Sequence, residues 1–276
     1  MNRKSILKCS NLLIGIAFLV CGAGAHADWV AGEGRYFFES GLTKEECNHQ
    51  ALLGAKRDAL SKVNLEKMSA FEAEFCTETG EQSNCELHSQ TFSYLDGGYI
   101  SEVKILDESR VNPGKENEEC VVKLEAEVKR YSESPDPNFF LTAQITGQVK
   151  KFVGDKYFIT GKTSQKAFIY MFSWSPSDER DVYKTLIPNK FDQEIVSNHS
   201  FQVPSKTKEK EYGLFAEFPE DLKRDEIIEY FFVLATKKRF KTLDTEPVES
   251  FRTRLDELGR SNWRLKPLGY SILKKD

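Results

Sequence analysis

Two hydrophobic periods divide this chain. Between residues 43 and 63, small apolar side chains recur every fourth position: Cys47, Ala51, Ala55 and Ala59, broadened by Leu52 and Leu60. Thr43-Lys-Glu-Glu46 precedes them as a capping box, so a helix is predicted from there to about Val63. Small residues at this period let a helix approach a sheet closely. Further on the period falls to two. Phe71, Ala73 and Phe75 alternate with Glu72 and Glu74, and Glu86 to Tyr94 repeats the pattern less clearly. Tyr99, Ser101, Val103 and Ile105 form another alternation, and Cys120, Val122, Leu124, Ala126 and Val128 the clearest. One helix on an antiparallel sheet is the expected α+β arrangement.

Ser132-Glu-Ser-Pro-Asp-Pro-Asn138 interrupts the pattern with two prolines and no apolar periodicity. Beyond it, strands are predicted at 139–146, 157–161, 166–174, 183–187 and 227–236. Ala167, Ile169 and Met171 alternate with Phe168, Tyr170 and Phe172, so both faces of that strand are apolar, as in Glu229-Tyr-Phe-Phe-Val-Leu-Ala-Thr236. Strands of this kind belong in the middle of a structure covered on both sides, and an antiparallel β sandwich is expected. Glu249 to Gly259 reads as a short helix with Phe251, Leu255 and Leu258 on one face and Arg252, Arg254, Asp256 and Glu257 opposite. Trp263, Leu265, Leu268 and Tyr270 then form a tail that docks on the body or binds a partner.

The front of the chain changes the picture. Arg3, Lys4 and Lys8 precede an apolar run from Leu12 to Cys21, and Ala25-His-Ala27 is a small-x-small cleavage site before Asp28. That is the layout of a secretory leader, too short to span a bilayer comfortably. Cys21 follows Val20, where a lipid-attachment site prefers a small residue. The expected division is 1–27 leader, 28–131 disulfide-braced α+β domain, 132–138 linker, 139–242 β-sandwich-like domain, and 243–276 helix and tail. Export places the protein in the periplasm of a Gram-negative cell or outside it, with no transmembrane span in the mature chain. The 276 residues carry a net charge of −4, and three of the 39 basic residues but none of the 43 acidic ones lie in the leader. The remainder is therefore more acidic still, which argues against a nucleic-acid partner. Lys206 to Lys210, interrupted by Glu209, reads as a solvated loop.

Cys47, Cys76, Cys85 and Cys120 remain after the leader, an even number in an exported chain, which points to two disulfides. The spacings of 29, 9 and 35 lack the close pairs of a zinc site. Cys47 and Cys120 both fall on core-facing stripes, so they are natural partners; Cys76 and Cys85 flank a loop-forming stretch that a bridge closes. Three pairings are open in principle.

Catalytic signals are weak. His49 and His88 have too few converging ligands for a metal site. Ser173, Ser175, Ser177 and Asp178 share the chain with His199 and Ser200, but no Gly-x-Ser-x-Gly elbow accompanies them. Glycine-rich nucleotide loops are absent, so no cofactor is expected. The carboxylates Asp178 and Glu179, or Asp221 with Asp225 and Glu226, read as surface-loop residues rather than as a hydrolytic pair. Asn198-His-Ser200 reads as a polar turn.

The helix Glu45-Glu-Cys-Asn-His-Gln-Ala-Leu-Leu-Gly-Ala-Lys-Arg-Asp-Ala-Leu60, followed by strands ending in Cys120-Val-Val-Lys-Leu-Glu-Ala-Glu-Val128, resembles the small α+β domain of bacterial envelope lipoproteins and of a periplasmic flagellar-motor accessory protein. The present chain departs from it in its four cysteines. Gly154-Asp155, Ala167-Phe-Ile-Tyr-Met-Phe172, Leu186-Ile-Pro-Asn189, Phe201-Gln-Val-Pro204 and Phe232-Val-Leu-Ala-Thr236 together resemble an uncharacterised bacterial β-rich accessory domain. These resemblances imply assembly and contact rather than catalysis. The expectation is a non-enzymatic envelope accessory protein that binds or positions a partner protein, with Tyr170, Trp174 and Trp263 as candidate interface aromatics. The competing expectation is an envelope hydrolase or carbohydrate-binding protein whose site is assembled from distant loops, such as a cleft lined by Trp174, Tyr170 and carboxylates.

Overall fold

Thr43 caps the first helix as its spacing predicts. Its hydroxyl accepts the Glu46 N–H at 3.1 Å, and the Glu46 carboxylate accepts the Thr43 N–H at 2.8 Å. The helix, α1, spans Lys44–Lys62. A computed structural model describes residues 28–38, 42–63, 98–147, 150–175, 181–218 and 225–274, and the fold is mostly β with two α-helices among them. The leader, the strands expected at 71–75 and 86–94, and the Cys76–Cys85 pair lie outside the described residues.

Strands β1 (Asp28–Phe37), β2 (Gly98–Val111) and β3 (Glu119–Arg130) form an antiparallel sheet in the order β1-β3-β2. Cys120, Val122, Leu124, Ala126 and Val128 face α1 and are buried, and Cys47, Ala51, Ala55 and Ala59 meet them with no exposed surface. Cys47 and Cys120 are joined, with Sγ atoms 2.12 Å and Cα atoms 5.9 Å apart. Strand β1 had no apolar alternation to announce it, because Gly32 and Gly34 occupy the positions facing the helix. A Cβ at either would overlap the carbonyl oxygen of Ala55 or Ala51. The strand surrenders side chains so that helix and sheet backbones can approach. The regular alternation read from Tyr99 to Ile105 is interrupted by a bulge between Ile100 and Glu102, which brings Ile100 as well as Val103 into contact with the core under α1; Ile105 is half-exposed.

After residue 139 come β4 (Leu141–Ile145), β5 (Lys150–Phe152), β6 (Lys156–Tyr157), β7 (Ile159–Thr163), β8 (Ala167–Trp174), β9 (Val182–Ile187), β10 (Ile195–Ser197), β11 (Ser200–Val203), β12 (Leu214–Phe215), β13 (Glu226–Thr236), β14 (Thr245–Pro247), α2 (Val248–Leu258) and β15 (Trp263–Leu273). A seven-stranded sheet runs β14-β9-β8-β13-β15-β5, with β10 also paired to β8; β11-β7-β4 form a small sheet and β12 pairs with β6. The two-faced strands find a cover on each side. Ile169 and Met171 of β8 and Phe231, Val233 and Ala235 of β13 share a core with Ile159 of β7 and Phe201 and Val203 of β11. Tyr170, Phe172, Trp174, Tyr230, Phe232 and Leu234 point the other way, onto Phe251 and Leu255 of α2 and Leu53 of α1.

Two expectations change here. Residues 263–273 are a strand between β13 and β5 rather than a docked tail. Pro267 and Gly269 hid it, since both argue against a central strand. Helix α2 ends at Gly259 as read, but Arg252, placed on its polar face, is 2 % exposed and donates to the Tyr183 hydroxyl at 3.2 Å. The Pro135–Pro137 stretch is solvent-exposed yet fastened: Glu133 accepts from the Ser261 hydroxyl at 2.9 Å, and Asp136 pairs with Lys237.

Candidate functional site

The sequence-marked aromatics are core residues. Tyr170 is 8 %, Trp174 4 % and Trp263 0 % exposed, because each stands on the face of the large sheet that α1 and α2 cover. They make no surface patch and line no open sugar cleft. His199 is exposed in the β10–β11 turn with φ of +117°, and among the described residues no carboxylate pairs with its ring. Ser177, Asp178, Glu179, Asp221 and His88 lie outside the described residues. Glu226 stands 4.0 Å from Lys150, and the Asp225 carbonyl accepts the Lys274 N–H at 2.9 Å, both surface roles. His49 is buried on α1 near Asp181, its positive form favouring that carboxylate's charge. No group of three or more His, Cys, Asp and Glu side chains suited to a metal occurs among the described residues, and no helix there is long and apolar enough to cross a membrane.

Two places bring polar groups together. The first lies where α1 meets β9 and α2. Lys56 Nζ is 2.6 Å from both Asp181 and Glu249, and the Trp174 indole N–H donates to the other Asp181 oxygen at 2.8 Å. Burial works against the Lys56 charge, but the two carboxylates more than offset it and hold the ammonium well above the usual lysine range. Burial likewise opposes the Asp181 charge, and Lys56 overcomes it, holding this carboxyl below its ordinary value. Burial pushes the neighbouring Tyr183 phenol up to about 12. The void beside this cluster measures only about 40 Å³, room for a few waters against the ~300–1,000 Å³ of ligand pockets. It is a clamp between elements, not a binding site. The sequence carried one usable sign of it: His49, Leu53 and Lys56 follow a second helical stripe on α1.

The second place is large enough for a ligand. A groove of about 740 Å³ lies over the outward face of β11-β7-β4. Alternation sends Leu141, Ala143, Ile145, Ile159, Phe201 and Val203 inward and leaves polar residues outside. Register arranges those into two cross-strand rows, Thr142–Lys162–Ser200 and Gln144–Thr160–Gln202. Ser205 and Lys206 complete one end, and Ala143, Gly161 and Phe201 of the same strands together with Ile195 and Val196 of β10 supply the apolar part of the lining. The position of Ser205 and Lys206 comes from the two proline motifs. Ile187–Pro188 and Val203–Pro204 are both cis. Between them the Asn189 side chain accepts the Phe191 and Asp192 N–H groups, each at 2.8 Å. Asp192 in turn accepts from the Ser205 N–H at 2.9 Å and from the Ser205 and Tyr212 hydroxyls at 2.6 Å. Leu186-Ile-Pro-Asn189 and Phe201-Gln-Val-Pro204, distant in sequence, thus form one brace at the end of the groove. Lys206, read as part of a solvated loop, belongs to the lining.

No family model, curated protein or solved structure matches this chain.

Proposed function

We propose that this chain is a non-enzymatic, exported accessory protein of the bacterial envelope that works by holding a polar ligand in the groove over β11-β7-β4. The observation that carries the reading is the groove itself: ligand-sized, with two in-register rows of hydroxyl, amide and ammonium groups set beside the apolar Ala143, Ile195, Val196 and Phe201, and braced at one end by Asp192. The leader-like first 27 residues and the cysteines favour export, and the two resemblances favour an accessory role. The burial of Tyr170, Trp174 and Trp263 moves the weight from a protein partner toward a ligand of hydrogen-bonding character. In this reading residues 28–131 are an α+β unit and the later residues a sandwich-like unit that includes β15. The Lys56 clamp fixes one on the other, so the groove is presented on a rigid body.

A photo-cross-linking residue at position 160 tests this in cells that export the protein. An adduct is expected at 160, absent at a control site on β2 such as Glu108, and lost when Thr142→Trp fills the groove. Equal adducts at both sites, or an adduct that survives the filling, would sink the groove as the functional surface.

A further inference from the structure

The lysines give the groove its sign. Lys162 stands in the middle of the first row, between Thr142 and Ser200, and Lys206 follows the Asp192 brace. Among the described residues neither ammonium has an ion-pair or hydrogen-bond partner, while the nearby Lys208 is held by Glu211 at 2.7 Å. No aspartate or glutamate lines the groove. At its rim Glu209 accepts from the Gln202 amide nitrogen at 2.5 Å, which also donates to the Pro204 carbonyl at 3.2 Å. That fixes the amide so that the Gln202 oxygen is left as an acceptor. The lining itself thus carries two ammonium groups and no carboxylate, while Asp192 and Glu209 stand at its edges, each already holding a hydrogen bond from a lining residue.

We propose that the groove binds an acidic oligosaccharide, a chain of sugar units that carry carboxylate groups; this rests on the groove being the functional surface. Hydroxyl and amide side chains both donate and accept, as sugar hydroxyls do, so rows of Thr, Ser and Gln match a polyhydroxylated chain in either direction. Strands ~4.8 Å apart, with same-face residues ~7 Å apart along each strand, set these groups out as a grid rather than a point. The two unpaired ammonium groups supply the countercharge for carboxylates. The lining contains no Trp, Tyr or Arg and its one ring, Phe201, is buried, so recognition falls to the hydroxyl, amide and ammonium groups, whose paired donors and acceptors match sugar hydroxyls.

Titration calorimetry on the oxidised exported protein separates the sources. The probes are a galacturonic acid trisaccharide, its uncharged methyl ester, a hexaglutamate peptide and inorganic phosphate. The trisaccharide is expected to bind saturably, and the ester to bind at least several-fold more weakly. Lys162→Gln and Lys206→Gln are each expected to weaken the acid about fivefold, the upper range for an exposed charge pair, with the loss shrinking at high salt. Both side chains are exposed, so thermal unfolding should be unchanged. An ester that binds as tightly as the acid, or lysine variants that bind it equally well, would overturn the acidic class and leave the groove standing. Tighter, lysine-dependent binding of hexaglutamate or phosphate would replace the sugar. Absence of binding by all four probes would overturn this proposal, while the adduct at position 160 reports separately on the groove.

Discussion

Lys56 is the residue on which the packing of α1 against the later elements turns. Replacing it with Met removes the counter-ion from two largely buried carboxylates, and is expected to cost about 3–5 kcal/mol in denaturant unfolding. Adding Asp181→Asn should recover part of that, because one stranded charge disappears while an oxygen remains for the Trp174 indole. The pH dependence follows in sign. Asp181 has a folded pKa below its unfolded value, so its contribution is complete above about pH 4 and is lost as pH falls through the folded value. Acid titration of stability should therefore be less steep at its lower end in Asp181→Asn than in the parent protein. Equal slopes would show that this carboxylate contributes nothing to acid unfolding. The second helical stripe of His49, Leu53 and Lys56 was the one sign of this in the sequence, and the identity of the partners was not legible there. They lie 125 and 193 residues away, beyond any local pattern.

At the scale of elements, periodicity located α1, β3, β8, β13 and α2 because each has an apolar pattern that matches its own geometry. Cys47 and Cys120 could be paired on the same ground, since both belonged to core-facing stripes. Removing that bridge by Cys47→Ala is expected to lower stability by about 3–5 kcal/mol, since it closes a loop spanning 73 positions. Denaturant melts of the variant, and of the reduced parent protein, measure it. Phe251→Ala should cost a similar ~3–5 kcal/mol, as its fully buried ring packs edge-on against Phe172 and Tyr183 at 4.8 Å. Strands β1 and β15 escaped notice for a common reason. Gly32 and Gly34 suit the close approach of α1, and Pro267 and Gly269 argue locally against a strand, so in both the local pattern is spoiled.

For the whole molecule, the exposed Pro135–Pro137 stretch remains the natural place for a protease to cut, yet its flanks are held by Ser261 and Lys237. Cleavage there is expected to leave the two halves together on gel filtration, because Leu53 and Lys56 of α1 are buried against elements of the later half. The same nick in Lys56→Met should release them. Separation of the halves in the parent protein would show that the clamp does not join them.

The amino-acid order by itself determined α1, β3, β8, β13 and α2 and most of their apolar faces, since these follow from the period of side chains along one element. It also made Cys120 the natural mate of Cys47, since both lie on core-facing stripes, with three pairings open until the structure joined these two. Only the tertiary structure decided which apolar faces meet, and so turned Tyr170, Trp174 and Trp263 from candidate anchors into core. It likewise decided the groove. Thr142, Lys162 and Ser200 are unremarkable one by one, and become a row only when three strands pair in register, a juxtaposition that no single segment encodes.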